Sequence, residues 1–257
     1  MSTLYSVHPD AKIGKDVEIG PFTTIYENVE IGDGCKIMNN VTIFPGARLG
    51  KGVTVFPGAS ISAVPQDLKF RGEETLAVIG DGTTLRECVT VNRGTSAREK
   101  TVVGKNCLLM AYSHVAHDCI LGDQVILSNA TQLGGEVVVD DQAVIGGGSL
   151  IHQFCHIGRN VMLQGGALVN KDIPPYVKAA RDPISFVGLN SIGLHRRGYS
   201  QEEIQQISDI YRILYMCDLN VTNAVKLILE TLPESRFREE IVNFVTQSNR
   251  GVIRSAI

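Results

Sequence analysis

The chain of 257 residues predicts a mainly β fold, a parallel β-helix followed by a small α-helical domain, on three observations. An aliphatic residue recurs every six positions, small residues follow it at a fixed offset, and helical spacing replaces this period beyond residue 172. Counted from Val7, the series runs through Ile13, Ile19 and Ile25 to Ile61, resumes at Ile79, Leu85 and Val91, and resumes again from Val103 through Val115, Leu133 and Ile151 to Val169. All twenty-five positions in this register are Val, Ile or Leu. An amphipathic helix repeats every 3.6 residues and a strand every two, so a period of six belongs to a solenoid.

The fourth residue after the aliphatic is small or β-branched, as at Val17, Thr23, Cys35, Ala47, Cys107, Ser113, Cys119 and Ala143. The residue just after it is Gly in ten hexads, Gly14, Gly32, Gly134 and Gly158 among them. This suits a short strand with one large side chain inward, then a cramped corner where glycine takes positive φ without a Cβ clash. Three sides of six residues close a triangular coil of eighteen. Successive coils stack at about 4.8 Å, so residues i and i+18 superpose and each aliphatic column becomes a buried seam. A prism with flat sides associates through one of them, and a homotrimer suits the triangular section.

The elements follow in order. Residues 1–182 read as the β-helix, with projecting loops at 62–78 and 92–102. In the first loop Asp67 and Glu73 occupy the expected aliphatic slots; in the second stand Asn92-Arg93-Gly94 and the charged Arg98-Glu99-Lys100. Loops carried on a rigid scaffold are where binding groups tend to reside. Asp172-Ile173-Pro174-Pro175 ends the repeat, since proline removes ladder donors. Residues 183–257 read as a domain of about three helices that caps the open coil. Ser200-Gln201-Glu202-Glu203 is a capping box ahead of Ile204, Ile207, Tyr211 and Leu214. Thr222 is placed to cap a second helix through Leu232, and Pro233-Glu234 to open a third.

A net charge of −3 gives no electrostatic footprint for nucleic acid. With neither an N-terminal apolar run nor a stretch of eighteen apolar residues, no membrane span and a cytoplasmic location are expected. The six cysteines show no C-x-x-C spacing, and four (Cys35, Cys107, Cys119, Cys155) fill the small fourth position, so they are expected as buried free thiols.

Four of the six histidines fall between 114 and 156. His114-Val115-Ala116-His117-Asp118 is the densest polar group of the repeat region. His117 stands two residues past inward Val115 and points off the face, and Asp118 beside it can orient its imidazole as a general base requires. Eighteen-residue stacking puts Gly135 one coil above His117 and Gln153 two coils above, with His152 beside Gln153 at roughly 10 Å from the His117 level. Histidines of one chain therefore do not converge on a tetrahedral metal site, although a site between chains could collect them.

His114-Val115-Ala116-His117-Asp118-Cys119 and Ile151-His152-Gln153-Phe154-Cys155-His156-Ile157-Gly158 resemble the UDP-N-acetylglucosamine O-acyltransferases that begin lipid A synthesis. Pro65-Gln66-Asp67-Leu68-Lys69-Phe70, Asp172-Ile173-Pro174-Pro175-Tyr176, Gly193-Leu194-His195-Arg196-Arg197-Gly198-Tyr199 and Arg250-Gly251-Val252-Ile253-Arg254 extend the similarity along the whole chain. The resemblance implies a left-handed parallel β-helix and transfer of a 3-hydroxyacyl chain from acyl carrier protein to the 3-hydroxyl of UDP-N-acetylglucosamine, with no metal or cofactor. On the same basis His117 corresponds to the general base, Asp118 to its support, and Gly135 to the glycine whose N–H faces the oxyanion. Asp67, Lys69, His114, His152, Gln153, Asn190 and Arg196 correspond to substrate-contacting positions, and Gly165 to the one that gauges acyl length.

Two positions depart from the family pattern: Glu136 stands where the enteric type has histidine, and Ile192 where an acid is frequent. Arg159, Lys171, Lys178 and Arg181 are expected to form a basic patch for the acidic carrier protein. Two rival enzymes share the repeat. The N-acyltransferase of the same pathway generally carries an additional N-terminal uridine-binding domain, whereas hexads begin here at Val7; the γ-carbonic-anhydrase type requires three converging histidines and zinc.

Overall fold

The computed structural model describes residues 4–255; the outermost residues of the two expected domains, 1–3 and 256–257, lie outside it. Short strands, mostly two residues long, stack into three sheets of nine, eight and eleven strands, in which the hexad strands are parallel and come from every third strand of the chain. These are the three faces of a prism. Registers such as Thr24↔Thr42 and Gln132↔Leu150↔Leu168 keep the eighteen-residue coil. Ser60 pairs with Thr90, thirty positions on, and Thr90 with His114, twenty-four on. The two excursions thus add twelve and six residues, whole sides of the triangle, and the hexad phase survives them.

Every hexad aliphatic from Ile25 to Val169 is buried. The seam opens only in the first coil, where Ile13 is 37% exposed because, among the described residues, no coil lies below it. Cys35, Cys107, Cys119 and Cys155 are buried free thiols in the same core.

The corner chemistry differs from the sequence expectation. Positive φ falls on the third residue after the aliphatic, at Asp16, Asn28, Gly34, Asn106, Asp118 and Glu136 among others. The glycines directly after the aliphatic are needed for space instead. A Cβ on Gly32 would come within 2.6 Å of Gly50 O, and one on Gly146 within 2.3 Å of Gly165 N, both in the next coil. At these positions the backbone of the next coil occupies the space that a side chain would take.

The strands run further into the excursions than the lost period suggests. Ser60–Ala63, Leu76–Ile79, Thr90–Asn92 and Lys100–Val103 all pair in parallel, which confines the loops to 64–75 and 93–99. Backbone pairing continues past the point where the side-chain pattern lapses.

Beyond the hexads, Val177–Ala180, Ser185–Leu189 and Arg254–Ser255 extend the third sheet. Four helices follow the repeat: α1 (Ser191–Arg196), α2 (Gln201–Met216), α3 (Val221–Thr231) and α4 (Arg236–Gln247). The capping box forms at Ser200 and Glu203. Asn220 caps α3 in place of Thr222, and Ser235 caps α4 two residues past Pro233, each side chain accepting an N–H three residues on. Short α1, capped by Asn190, has too few residues to show a helical period. The helices are pinned to the prism end. The Tyr211 hydroxyl donates to Pro175 O at 2.6 Å, Tyr176 donates to Glu240, and the His156 ring lies 4.5 Å from that of Phe244.

Candidate active site

His114 and Val115 form one strand of the first face, and the chain turns the corner at Asp118 with φ 60°. Val115 fills the core, so His117 two residues later lies at the prism edge with its side chain 16% exposed. Its Nδ1 is 2.8 Å from Asp118 Oδ2. The Asp118 carboxylate is fully buried and accepts from the Thr95 amide at 2.9 Å, the Thr95 hydroxyl at 2.6 Å and the Arg98 amide at 3.2 Å. Burial pushes this carboxyl upward, but the Thr95 hydroxyl, the His117 ring and the Thr95 amide outweigh it and hold it below the ordinary range. An ionised carboxylate only accepts, which places the proton on Nδ1 and leaves the lone pair on Nε2.

That Nε2 edge lies over Gly135 of the next coil, where a Cβ would sit 2.5 Å from Nε2 and 2.6 Å from Cε1. A side chain at 135 therefore collides with the ring. Among the described residues nothing accepts the Gly135 N–H, whereas the N–H of Asp123, at the equivalent place on another corner, is held by Asp141 at 2.8 Å.

A groove of about 540 Å³ opens beside the ring. His114, His117, Gly135, His152, Gln153 and Gln66 supply its polar lining, while the exposed side chains of Leu150 and Leu168 supply an apolar wall. His114 Nδ1 bonds the Thr90 hydroxyl at 2.7 Å, and burial, with His117 nearby, lowers its pKa. His152 is exposed and its Nδ1 lies 3.0 Å from Gln153 O.

Loop 64–75 leaves the same corner and brings Gln66 to the groove. Asp67 accepts the Lys69 N–H at 2.9 Å, and Lys69 itself is exposed. The loop is held from beneath by the second excursion. Asn92 Nδ2 donates to Val64 O at 3.2 Å, Arg93 donates to Pro45 O at 3.2 Å and lies 5.5 Å from the Phe70 ring centre, and the Thr75 hydroxyl donates to Gly94 O at 2.6 Å. Sequence reading took Asn92-Arg93-Gly94 only as marks of a loop. The one available signal was polar residues crowded into a six-residue insertion that the coil does not need for closure.

Asn190 and Arg196 stand elsewhere. With Met162, Lys178, Ile192 and Arg197 they line a second groove of about 630 Å³ on the third face, beside α1. Asn190 is buried and occupied in structure: its Oδ1 accepts the Gly193 N–H and its Nδ2 donates to Asn160 O at 2.9 Å. Within one protomer these residues and His117 do not share a site. Ile192 is 68% exposed, and Glu136 takes the left-handed corner with φ 59°. Gly165 stacks on Gly147 at the corner after the third face and lines neither groove.

The expected basic patch does not form as one surface. Arg159 is paired with Asp141 at 3.0 Å and Glu240 at 3.3 Å, Lys171 donates to Arg250 O, and Lys178 lies in the second groove. Residues close in sequence here face different sides of the prism. Among the described residues no three His, Cys, Asp or Glu side chains gather into a set that could hold a metal ion.

A three-faced hexad coil with a histidine–carboxylate pair at one edge defines a hexapeptide-repeat transferase. The bacterial transferase hexapeptide family matches residues 10–45 and 100–135. The C-terminal part, residues 172–253, matches the family described as Udp N-acetylglucosamine O-acyltransferase, domain 2. The acyl-[acyl-carrier-protein]--UDP-N-acetylglucosamine O-acyltransferase of Myxococcus xanthus is 39% identical over 96% of both chains, and that of Janthinobacterium sp. is 41% identical over 96% of this chain and 97% of its own. The UDP-N-acetylglucosamine acyltransferase of Bacteroides fragilis superposes with a TM-score of 0.97 at 51% identity, covering 99% of this chain and 100% of that one. The Acinetobacter baumannii structure superposes at 0.95 with 36% identity, covering 98% and 99%. The chain belongs to the UDP-N-acetylglucosamine O-acyltransferase family, and its prism is a left-handed parallel β-helix.

Proposed function

We propose that this protein transfers a 3-hydroxyacyl chain from acyl carrier protein to the 3-hydroxyl of UDP-N-acetylglucosamine, the opening step of lipid A synthesis. His117 Nε2 takes the hydroxyl proton as the sugar oxygen attacks the thioester carbonyl. The Asp118 carboxylate stabilises the imidazolium that forms. The Gly135 N–H donates to the oxyanion of the tetrahedral intermediate, whose collapse expels the carrier thiolate, and His117 returns the proton to that sulfur.

The observation that carries this proposal is the His117–Asp118 pair set against Gly135 in a groove with one polar and one apolar lining. Transfer is direct. The thiol nearest His117 in sequence, Cys119, lies in the core with Sγ 3.1 Å from Gly134 O, and burial pushes its pKa up to about 12, so it offers no nucleophile. The functional unit is a homotrimer, in which a neighbour's third-face groove, with Asn190 and Arg196, completes the pocket for the nucleotide. Asp67 and Lys69 contact the sugar and its phosphate from the projecting loop, while His114, His152 and Gln153 contact substrate from the first face. Gly165 leaves room for a long acyl chain.

His117→Ala tests the base. It is expected to abolish acyl transfer while Tm stays near the wild-type value, and full activity in that variant would refute the assignment. A panel of 3-hydroxyacyl carrier proteins tests the acyl groove: chains of about fourteen carbons or more are expected to react best, and a strong preference for ten carbons would exclude an open groove.

A further inference from the structure

The carboxylate beneath His117 is held mainly by the excursion 93–99, a segment with no role in transfer so far. This insertion adds six residues, one whole side of the triangle, and leaves the pairing of Thr90 with His114 intact. Coils elsewhere in the prism close in eighteen residues without such an insertion. Three of the four hydrogen bonds into the Asp118 carboxylate come from this insertion: the Thr95 amide at 2.9 Å, the Thr95 hydroxyl at 2.6 Å and the Arg98 amide at 3.2 Å. The fourth comes from His117. The Arg98 guanidinium donates to Asp118 O at 3.0 Å, and the Asp118 amide donates to the Thr101 hydroxyl at 2.8 Å.

Thr95 is 6% exposed, and the direction of its hydroxyl is settled by its neighbours. Its oxygen accepts the Ala97 N–H at 3.2 Å, so its own proton is free to donate, and the carboxylate opposite can only accept. Both Thr95 Oγ1 and His117 Nδ1 meet Asp118 Oδ2, at 2.6 and 2.8 Å. Oδ1 is anchored by the two backbone amides. The carboxylate is thereby fixed in both rotation and tilt.

We propose that Thr95 is a positioning residue for the His117–Asp118 pair, its hydroxyl and amide fixing the Asp118 carboxylate so that Oδ2 holds the proton on His117 Nδ1 and leaves Nε2 free. This rests on the assignment of His117 as general base. Without the hydroxyl, Oδ2 loses the donor it has besides the ring, the carboxylate can rotate, and the imidazole samples the wrong tautomer. The chemical step then slows, while the groove that binds the sugar is unchanged.

The test compares wild type, Thr95→Val, Thr95→Ala, Thr95→Ser and His117→Ala in steady-state transfer, together with ¹⁵N spectra of the histidine rings and Tm. Thr95→Val and Thr95→Ala are expected to lower kcat roughly tenfold or more, with KM for UDP-N-acetylglucosamine within about twofold of wild type. Their His117 ring is expected to show a tautomer mixture, and Thr95→Ser to restore most of kcat and the Nδ1–H form. Wild-type kcat in both the valine and alanine variants, beside an inactive His117→Ala, would overturn the role of Thr95 alone. An equal kcat loss in the serine variant that follows a fall in Tm, with the tautomer unchanged, would do the same. An active His117→Ala would instead remove the base assignment on which the role depends.

Discussion

At the scale of single residues, space decides more than backbone freedom. Gly135 has no positive φ, yet a Cβ there meets the His117 ring at 2.5 Å. The ring can avoid an added methyl only by swinging off Asp118, so Gly135→Ala is expected to lower kcat by at least about tenfold. Its Tm should change little, because a single ring yields and no backbone atom is struck. A Gly135→Ala enzyme with wild-type kcat would show that the ring does not act from this position. His117 and Asp118 were legible in the sequence from adjacency and from the inward setting of Val115. Thr95 and Arg98 were not, because they reach Asp118 across twenty residues or more through an insertion that breaks the only pattern available.

At the scale of elements, one corner of the prism carries a charge ladder. Lys15, Asp33, Lys51, Asp81, Lys105, Asp123, Asp141 and Arg159 superpose in successive coils. Asp33 accepts the Lys15 N–H at 2.9 Å and lies 3.3 Å from Lys51 Nζ; Asp81 accepts the Lys51 N–H at 2.8 Å and lies 3.4 Å from Lys105 Nζ. The amide of the coil below, then the lysine of the coil above (Lys51 for Asp33, Lys105 for Asp81), lower the carboxyls of Asp33 and Asp81 below the ordinary value of 3.8. A depressed folded pKa stabilises the fold fully above 3.8 and loses that contribution as pH falls through the folded value. Asp81→Asn keeps an acceptor for the Lys51 amide and removes the charge. It is expected to melt below wild type at pH 7, with the two Tm values converging under acid conditions below pH 3.8. A gap that stays constant with pH would exclude the charge as its source.

The turn glycines act at the same scale. A Cβ on Gly32 would come 2.6 Å from Gly50 O, backbone that cannot swing away, so Gly32→Ala is expected to cost about 1–3 kcal/mol in chemical denaturation. The hexad was fully legible as a repeat, but its corner was assigned the wrong reason. Composition shows that glycine is frequent after the aliphatic and cannot show which corner residue turns left-handed. Helix starts at Asn220 and Ser235 were missed by two residues because Thr222 and Pro233 carry the same local signals.

At the scale of the whole molecule, the prism separates what the sequence lists together. The His117 groove occupies the first face and the Asn190–Arg196 groove the third, so one protomer keeps them apart. Stacking arithmetic along a column placed Gly135 one coil and Gln153 two coils above His117. Nothing in one chain's periodicity tells which face a neighbour covers. In the proposed homotrimer the two grooves meet, and light scattering is expected to give a mass three times that of the chain; a stable, active monomer would dismiss the shared pocket. The most direct test is a structure with UDP-N-acetylglucosamine bound. Its sugar 3-hydroxyl is expected about 3 Å from His117 Nε2, with the nucleotide reaching the neighbour's Arg196. A sugar seated with that hydroxyl remote from every His117 would contradict the proposed chemistry.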